Sequence, residues 1–280
     1  MQNPYKPYPV RIRRIIIEND TRDLKTFELV FLNKEDEECF RYTPGQFAEL
    51  SVYGAGESPI GIASSPTEKG FIKFTVKKMG VVTTALHNME EGQVIGIRGP
   101  YGNWYPFHLM EGKDIVVIGG GFAFTTLRSA IVYMLHGENR KRFGKITCIY
   151  GARNAGELIY KPELKEWEER SDIDMYVTVD KLNGDPWPAR EGFVPAVTKE
   201  IAPSSENSIC LVCGPQIMIK FTIPVLTELG FPPDRIINSL EMRMKCGIGK
   251  CGRCNIGNRY VCKDGPIFSL AQLNEMPDEY

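Results

Sequence analysis

Residues 10–110 alternate short hydrophobic runs with turns rich in glycine, proline and charge. Runs such as RIRRIIIEND, LKTFELVFL and GFIKFTVKKMG have the length and the β-branched and aromatic content of strands. Several short strands separated by such turns are typical of a small antiparallel barrel or sandwich. We therefore predict an all-β unit in the first part of the chain.

The pattern changes at residue 114, where DIVVIGGG reads as a buried strand and TTLRSAIVYMLHG follows with helical character. Three further strand-like runs, KITCIYGAR, DMYVTVDK and SICLVCGP, are separated by helical stretches. Strands that alternate with helices indicate a parallel, doubly wound sheet. A third region begins near residue 236 and holds a cysteine cluster. We predict three units, at residues 1–110, 111–235 and 236–280.

Composition excludes some partners and compartments. Lys and Arg total 34, Asp and Glu total 35, and the formal net charge is −1, so no global field attracts nucleic acid or an anionic membrane. The N-terminal apolar run is too short for a signal peptide, and no window approaches the roughly 18 apolar residues of a membrane span. We expect a cytoplasmic protein with no membrane span and no nucleic-acid partner.

The most specific signal is the stretch KCGIGKCGRCNIGNRYVC, which holds four of the eight cysteines. Four residues lie between the first and second cysteines, two between the second and third, and seven between the third and fourth. A spacing of four and then two is the plant-ferredoxin spacing for a [2Fe–2S] cluster. Interspersed glycines let a loop wrap closely around anionic sulfurs. Structural zinc and free thiols are the alternatives, although zinc usually takes two close Cys pairs. The predicted ligands are Cys246, Cys251, Cys254 and Cys262.

The upstream motifs RYTPGQFAEL, SPIGIASSP, KKMGVVTTAL and RGPYGNW occur in order. With them the chain resembles the ferredoxin–NADP⁺ reductase superfamily, most closely the flavin-carrying gamma subunits of cytoplasmic sulfhydrogenases. Electron-transfer subunits of dihydroorotate dehydrogenase are more distant relatives. The resemblance covers nearly the whole chain. It implies an antiparallel flavin-binding β-barrel, a doubly wound nucleotide-binding α/β domain and a small C-terminal iron–sulfur lobe.

The resemblance implies FAD on the barrel. SPIGIASSP aligns with the family's Arg-x-Tyr-Ser flavin strand, so Pro59 and Ile60 would flank the isoalloxazine. Gly61 stands where the family has a Ser whose hydroxyl approaches the flavin, and Ser58 stands where it has a phosphate-binding Arg. Neither of these polar contacts is retained in this chain.

KKMGVVTTAL matches the family's Gly-x-x-(Ser/Thr) pyrophosphate loop. Gly80 would let the backbone approach phosphate, and Thr83 and Thr84 can offer hydroxyls and amides at a helix N-terminus. A glycine followed by two threonines is also an ordinary start of a helix, so the motif gains its meaning from the ordered set.

By the resemblance, two motifs of the second unit would bind NAD(P)H. Gly119, Gly120 and Gly121 retain the family's tight turn into a helix, whose N-terminus can face a pyrophosphate. The rest of GGGFAFTTL departs from the family's Gly-Gly-Gly-x-Gly-x-Ala-Pro-Leu. The rings of Phe122 and Phe124 and the Cβ of Ala123, which replaces a Gly, are expected to crowd the phosphate and weaken binding. The second motif is CGPQIM. By the resemblance, its residues Cys213, Gly214 and Pro215 would form part of the nicotinamide pocket.

We therefore expect an electron-transfer subunit of a multi-subunit oxidoreductase that links NAD(P)H, FAD, a [2Fe–2S] cluster and a partner redox subunit, hydrogenase-like or another iron–sulfur protein. No side chain is expected to act as acid or base, because the flavin carries the chemistry. One alternative is a flavin and iron–sulfur conduit with a degenerate nicotinamide site. The other is a zinc-stapled assembly module without redox work.

Overall fold

The computed structural model describes residues 3–182, 184 and 187–277. Within them lie one antiparallel sheet, one largely parallel sheet and a two-stranded ribbon. The predicted fold class, an antiparallel barrel followed by a doubly wound α/β sheet and a C-terminal lobe, is confirmed. The positions of the unit boundaries stay a prediction.

The first sheet has six antiparallel strands in the order β4-β3-β6-β1-β2-β5. Its edge strands, β4 and β5, approach one another, which curls the sheet towards a barrel. Alternate side chains fill the interior, as the strand period requires, with Ala48 and Leu50 of β3 inside and Phe47 on the opposite face. The strands are β1 (Tyr8–Ile17), β2 (Leu24–Phe31), β3 (Phe47–Val52), β4 (Gly56–Gly61), β5 (Ile72–Lys77) and β6 (Val94–Tyr101).

The second sheet has seven strands in the order β10-β9-β8-β7-β11-β12-β15, parallel except for β15. Its central strands are buried along their length, as the apolar runs of the sequence predict for a sheet covered on both faces. The strands are β7 (Asp114–Gly120), β8 (Ile146–Ala152), β9 (Asp174–Val179), β10 (Arg190–Glu191), β11 (Ser208–Cys213), β12 (Ile236–Ser239) and β15 (Ile267–Ser269).

The cysteine-rich segment runs between β12 and β15, so both of its ends are anchored in the parallel sheet. It contains the ribbon of β13 (Asn255–Ile256) and β14 (Arg259–Tyr260). A buried cluster that includes Cys254, Cys262 and Phe268 forms its core.

The helices cover the two sheets, and short 3₁₀ turns lie at Gly121–Ala123, Ala155–Glu157 and Pro233–Arg235. None of the described helices has the length and apolar character that crossing a membrane needs. The helices are α1 (Lys34–Cys39), α2 (Val81–His87), α3 (Phe107–Met110), α4 (Phe124–Leu135), α5 (Gly137–Arg140), α6 (Lys161–Glu169), α7 (Val194–Ile201), α8 (Gln216–Glu228), α9 (Val261–Asp264) and α10 (Leu270–Asn274).

A buried arginine joins the two sheets. Arg128 of α4 is 2% exposed and makes paired bonds to Glu68, which follows β4, and to Glu163 of α6, at 2.6–3.0 Å. It also donates to the carbonyl oxygen of Ala63 at 2.7 Å. Paired, hydrogen-bonded charges of this kind tolerate burial, whereas either partner alone would not. Arg128 thus connects the flavin-strand sheet with the nucleotide sheet.

Candidate functional site

The four predicted ligand cysteines lie together in the C-terminal lobe. Cys246 and Cys251 stand in the loop after β12, Cys254 immediately precedes β13, and Cys262 belongs to α9. Cys254 and Cys262 are buried, Cys246 is half-buried and Cys251 is exposed. One side of the group is therefore accessible from solvent.

These thiols are arranged as two pairs. The N–H of Cys251 donates to Cys246 Sγ and the N–H of Cys262 donates to Cys254 Sγ, each at 3.4 Å, and the side chains within each pair interact. Among the described residues, no three His, Cys, Asp or Glu side chains are gathered as a single metal ion would require. Two pairs of cysteines are a donor set that suits a two-iron cluster.

Backbone amides of the loop point at the sulfurs. Gly249 N–H donates to Cys262 Sγ at 3.1 Å and Lys250 N–H donates to Cys246 Sγ at 3.2 Å. Gly249 has φ +69°, a left-handed conformation that favours glycine, and so lets the loop turn its amides inward. Amide donors around sulfur stabilise an anionic cluster.

The pKa values of two cysteines diverge. Burial raises the pKa of Cys262 to about 12. At Cys246 burial acts in the same direction, but the backbone N–H groups of Ile248, Lys250 and Cys251 outweigh it and lower the pKa to about 6. At neutral pH Cys246 therefore has more thiolate character than Cys262.

The lobe packs on the outer face of the six-stranded sheet. Phe47 of β3 lies in the same hydrophobic cluster as Cys254 and Cys262, with Tyr101 of β6 against it. A Cβ on Gly247 would stand 2.6 Å from the Tyr101 ring, so this close approach needs glycine. Because Phe47 also pairs with Gly61 across β3 and β4, it spans from the predicted flavin strand to the cysteines.

The RGPYGNW turn also holds the lobe. The Asn103 side-chain amide donates to the carbonyl oxygens of Asp264 (3.0 Å) and Ile267 (2.7 Å), and its oxygen accepts from Ile267 N–H at 2.8 Å. Asn103 N–H donates to Gly265 O at 2.6 Å. The motif that the family resemblance associates with closing the barrel therefore also anchors the iron–sulfur lobe.

The predicted isoalloxazine residues Pro59, Ile60 and Gly61 lie on β4 and are half-buried. Among the described strands β4 pairs only with β3, so it forms an edge of the sheet. Ile60 packs in one cluster with Val82 and Ala85 of α2. The strand and the helix predicted to hold the two ends of the flavin are thus neighbours.

At the start of α2, Gly80 is the N-cap. The Thr83 hydroxyl accepts from the N–H groups of Met79 and Gly80, each at 2.9 Å, and Thr84 N–H donates to Gly80 O. The Thr83 side chain therefore closes the loop on itself. The N–H groups in the first turn of a helix have no acceptor within the helix. In α2 these N–H groups are the ones suited to bind a phosphate.

The two nucleotide motifs meet at the carboxyl ends of β7 and β11. Cys213 pairs with Gly119 in the parallel register. A Cβ on Gly120 or on Gly214 would each stand 2.3 Å from the side chain of Met218 in α8, and Gly121 has φ +53°. The sheet thus brings Gly119–Gly121 beside Cys213–Pro215, at the edge where doubly wound folds bind ligands.

The expectation that Phe124 crowds the phosphate is wrong. Phe124 is fully buried and stacks on Tyr150 with ring centroids 4.0 Å apart, and Trp167 meets its edge. Phe122 is half-buried and packs against the same core. As the first residue of α4, Phe124 turns beneath the sheet because the helix must bury its apolar face there.

A polar cluster beside the glycine turn was not predicted from the sequence. The Thr126 hydroxyl of α4 lies 3.3 Å from Ala123 O and 3.5 Å from Cys213 Sγ, either of which can accept its proton, and Cys213 Sγ lies 3.7 Å from Ser239 O. Burial raises the pKa of Cys213 to about 11, so it stays a neutral thiol. The hydroxyl of the fully buried Tyr105 lies beside the side chains of Thr126 and Ser239. The signal in the sequence was the departure of GGGFAFTTL from the family pattern.

A buried acid beneath the lobe was also missed. Glu49 of β3 is 0% exposed, and neither carboxyl oxygen has a hydrogen-bond partner among the described residues. The neighbouring Arg98 is occupied by Glu57, at 2.6 and 2.7 Å. Burial raises the pKa of Glu49 to about 8, partly offset by Arg98, while Glu57 and Cys246 add to the rise.

Three family models match consecutive parts of the chain. The oxidoreductase FAD-binding domain matches residues 14–105 and the oxidoreductase NAD-binding domain matches residues 117–223. The iron–sulfur cluster binding domain of dihydroorotate dehydrogenase B matches residues 241–274. The predicted set of cofactor-binding functions, for FAD, nicotinamide nucleotide and an iron–sulfur cluster, is confirmed at the level of domains.

Curated relatives match over almost the full length. The sulfhydrogenase 1 gamma subunit of Pyrococcus furiosus is 36% identical, over 98% of this chain and 94% of that protein. The chain belongs to its family, within the ferredoxin–NADP⁺ reductase superfamily. A probable dihydroorotate dehydrogenase B (NAD⁺) electron transfer subunit of Methanocaldococcus jannaschii is 33% identical, over 94% of this chain and 90% of that protein. The family relationship predicted from the ordered motifs is therefore confirmed.

A solved structure of the NADH-dependent reduced ferredoxin–NADP oxidoreductase, described for flavin-based electron bifurcation, has the same architecture. Its TM-score is 0.73 at 26% identity, covering 96% of this chain and 89% of that one. The family is thus shown by sequence and by fold. The individual flavin, nucleotide and cluster residues stay predictions.

Proposed function

We propose that this chain is an electron-transfer subunit that passes electrons between NAD(P)H, FAD, a [2Fe–2S] cluster and a partner redox subunit. The observation that carries the proposal is the position of Phe47. It packs with Cys254 and Cys262 on one side and pairs with Gly61 of the flavin strand on the other. An electron path from flavin to cluster needs such a close, packed junction.

Bound FAD and the cluster supply the change from two-electron to one-electron chemistry, as cofactors do in such enzymes. The chain's own residues bind and position them. The edge strand β4 and the first turn of α2 would hold the flavin, and the glycine turn after β7 and the Cys213–Pro215 turn would hold the nucleotide. The buried Arg128 is one of the side chains that join these two halves.

The cysteine spacing favours [2Fe–2S] over structural zinc. Four and then two intervening residues are the plant-ferredoxin spacing, whereas structural zinc usually takes two close Cys pairs and this segment has one. The amides that reach Cys246 and Cys262 are also suited to the negative charge of a cluster.

We place the partner on the exposed face of the lobe, near Cys251. Residues 241–264 carry six Lys and Arg against two Asp and Glu, although the whole chain is at −1. A partner with an acidic rim around its redox centre would be steered to this face. The relatives named above suggest hydrogenase-like or iron–sulfur partners. The exposed basic residues are Arg243, Lys245, Lys250, Arg253, Arg259 and Lys263.

We retain two further expectations as proposals. The division into units at residues 1–110, 111–235 and 236–280 follows the FAD-binding, NAD-binding and iron–sulfur functions. A cytoplasmic location suits the chain because ligand cysteines must stay reduced to take a cluster, and all eight cysteines are free.

The test is a spectrum and a titration of the full chain. Aerobically purified protein should show flavin and [2Fe–2S] absorption, release FAD on denaturation, and lose its flavin absorbance on anaerobic addition of NADH or NADPH. Release of FMN or of no flavin would overturn the FAD assignment, and zinc without iron would favour the assembly module. If neither nucleotide bleaches the flavin, the conduit without a working nicotinamide site replaces this proposal.

A further inference from the structure

Gly61 and Thr126, which belong to opposite halves of the molecule, pack directly against each other. A Cβ built on Gly61, the last residue of the flavin strand, would stand 2.5 Å from Thr126 Cγ2, near the start of α4. Contacts below 3.0 Å do not occur at real Cβ atoms, so any side chain at position 61 would displace Thr126 or the strand. Threonine at 126 therefore requires glycine at 61.

The two positions are complementary, because the methyl group of Thr126 fills the place that a side chain at 61 would take. The same side chain brings a hydroxyl to this place, on the helix that faces the strand. That hydroxyl lies 3.3 Å from Ala123 O and 3.5 Å from Cys213 Sγ, either of which can accept its proton.

The surroundings of Thr126 explain why a hydroxyl is suited to this place. Cys213 is a neutral thiol next to Ser239 O, and the buried Tyr105 hydroxyl lies beside the side chains of Thr126 and Ser239. Buried polar groups are normally hydrogen-bonded, so a hydroxyl at position 126 is suited to this polar cluster. Thr126 thus stands where the predicted flavin strand, glycine turn and nicotinamide turn meet.

We propose that Thr126 is a positioning residue for hydride transfer, with its methyl group packed against Gly61 and its hydroxyl ordering the junction between flavin and nicotinamide. This inference rests on the proposed function. It also gives a reason for the altered GGGFAFTTL loop. The loop is adapted to Gly61, and the nucleotide site is retained.

The hydroxyl is tested in the FAD-loaded full chain with Thr126→Val, which keeps the shape, and Thr126→Ser, which keeps the hydroxyl. We expect Thr126→Val to retain FAD and melting temperature but to slow flavin bleaching by NADH about tenfold, the effect of one lost hydrogen bond at about 1.4 kcal/mol. It should also weaken the long-wavelength charge-transfer band between nicotinamide and flavin. Thr126→Ser should stay within about threefold of the native rate.

The steric pair is tested with Gly61→Ala, alone and combined with Thr126→Ser, by the FAD retained after gel filtration. The single variant should lose FAD, and the double variant should recover it because the clashing Cγ2 is gone. A native rate and band in Thr126→Val, or full FAD retention in Gly61→Ala alone, would overturn the respective half of the inference. If neither nucleotide bleaches the native flavin, the proposed function fails together with the hydride role, while FAD retention still decides the steric pair.

Discussion

At the scale of single residues, the chemistry of the chain depends on groups whose surroundings set their charge. The thiols of the lobe receive backbone N–H groups, whereas Glu49 receives none among the described residues. Both kinds of residue lie at the packed junction between the lobe and the six-stranded sheet. Each gives a prediction that does not depend on the identity of the partner.

Replacing any one of Cys246, Cys251, Cys254 or Cys262 by Ala should abolish the bound iron and the rhombic electron paramagnetic resonance signal of the reduced protein. A cluster that needs four thiolates loses a ligand that no neighbour replaces. Cys39→Ala, which changes an exposed cysteine outside the lobe, is the control and should keep both. A signal that survives in Cys262→Ala would remove that residue from the ligand set.

Glu49→Gln should change the pH dependence of stability. Burial raises the pKa of Glu49 from 4.5 to about 8, so the folded state binds more protons than the unfolded state between these values. By linkage the native free energy of unfolding falls as pH rises through this window, by at most about 5 kcal/mol. Glutamine cannot ionise, so the free energy of unfolding of the variant should rise relative to that of the native chain between pH 5 and pH 8.5. Urea unfolding at each pH measures the difference. Parallel profiles for the two proteins would contradict the buried, unpaired acid.

At the scale of elements, β7, the glycine turn and α4 form one strand–turn–helix unit in which every bulky residue has a packing role. Gly119 permits the unit because its Cβ would stand 2.4 Å from the Phe124 ring. The ring is in turn stacked on Tyr150 of β8. Sequence departures in this loop therefore concern the core as well as the ligand.

Phe124→Leu should lower the free energy of unfolding by about 1–3 kcal/mol, because it leaves a cavity beside Tyr150 and Trp167. It should leave the affinity for NADH unchanged within about twofold, since the native ring does not face the phosphate. Urea unfolding and flavin-bleaching titrations measure the two effects. Phe122→Leu, which changes a half-buried ring next to it, is the matched control and should cost less stability. Tighter nucleotide binding in Phe124→Leu would restore the crowding explanation.

At the scale of the whole molecule, two sheets and a lobe act as one body through a few connections. Arg128 ties α4 to Glu68 and Glu163, and Asn103 ties the barrel turn to the lobe. The exposed face of the lobe is basic, whereas the rest of the chain carries a net negative charge. Stability and partner choice are therefore properties of these junctions.

Arg128→Met should destabilise the protein by about 3–5 kcal/mol, because it leaves Glu68 and Glu163 without their buried partner. It should also separate the unfolding of the two sheets into two transitions. Arg170→Met, which removes a partly exposed pair with Asp172, is the control and should cost no more than about 1 kcal/mol. A single transition with native stability in Arg128→Met would show that the sheets are held together elsewhere.

Lys250→Glu combined with Arg253→Glu should slow oxidation of the reduced protein by ferricyanide several-fold at low salt and accelerate oxidation by hexaammineruthenium(III). The native basic face attracts anions and repels cations, and salt screens both effects. Stopped-flow traces over a range of ionic strength give the sign and size of the local field. Lys141→Glu, a surface change beside α5, should leave both rates unaltered. Equal effects of both oxidants would mean that electrons leave elsewhere.

The sequence by itself determined the periodicities, the order of the units and the cysteines predicted as ligands, because strand and helix periods and cysteine spacing are local properties. It also determined the family, since the motifs occur in a fixed order. Only the tertiary structure decided that Phe124 is buried, that Glu49 has no hydrogen-bond partner in the described part of the chain, and that Thr126 packs against Gly61. These facts depend on which side chains meet across elements far apart in the chain, and no local pattern encodes such contacts.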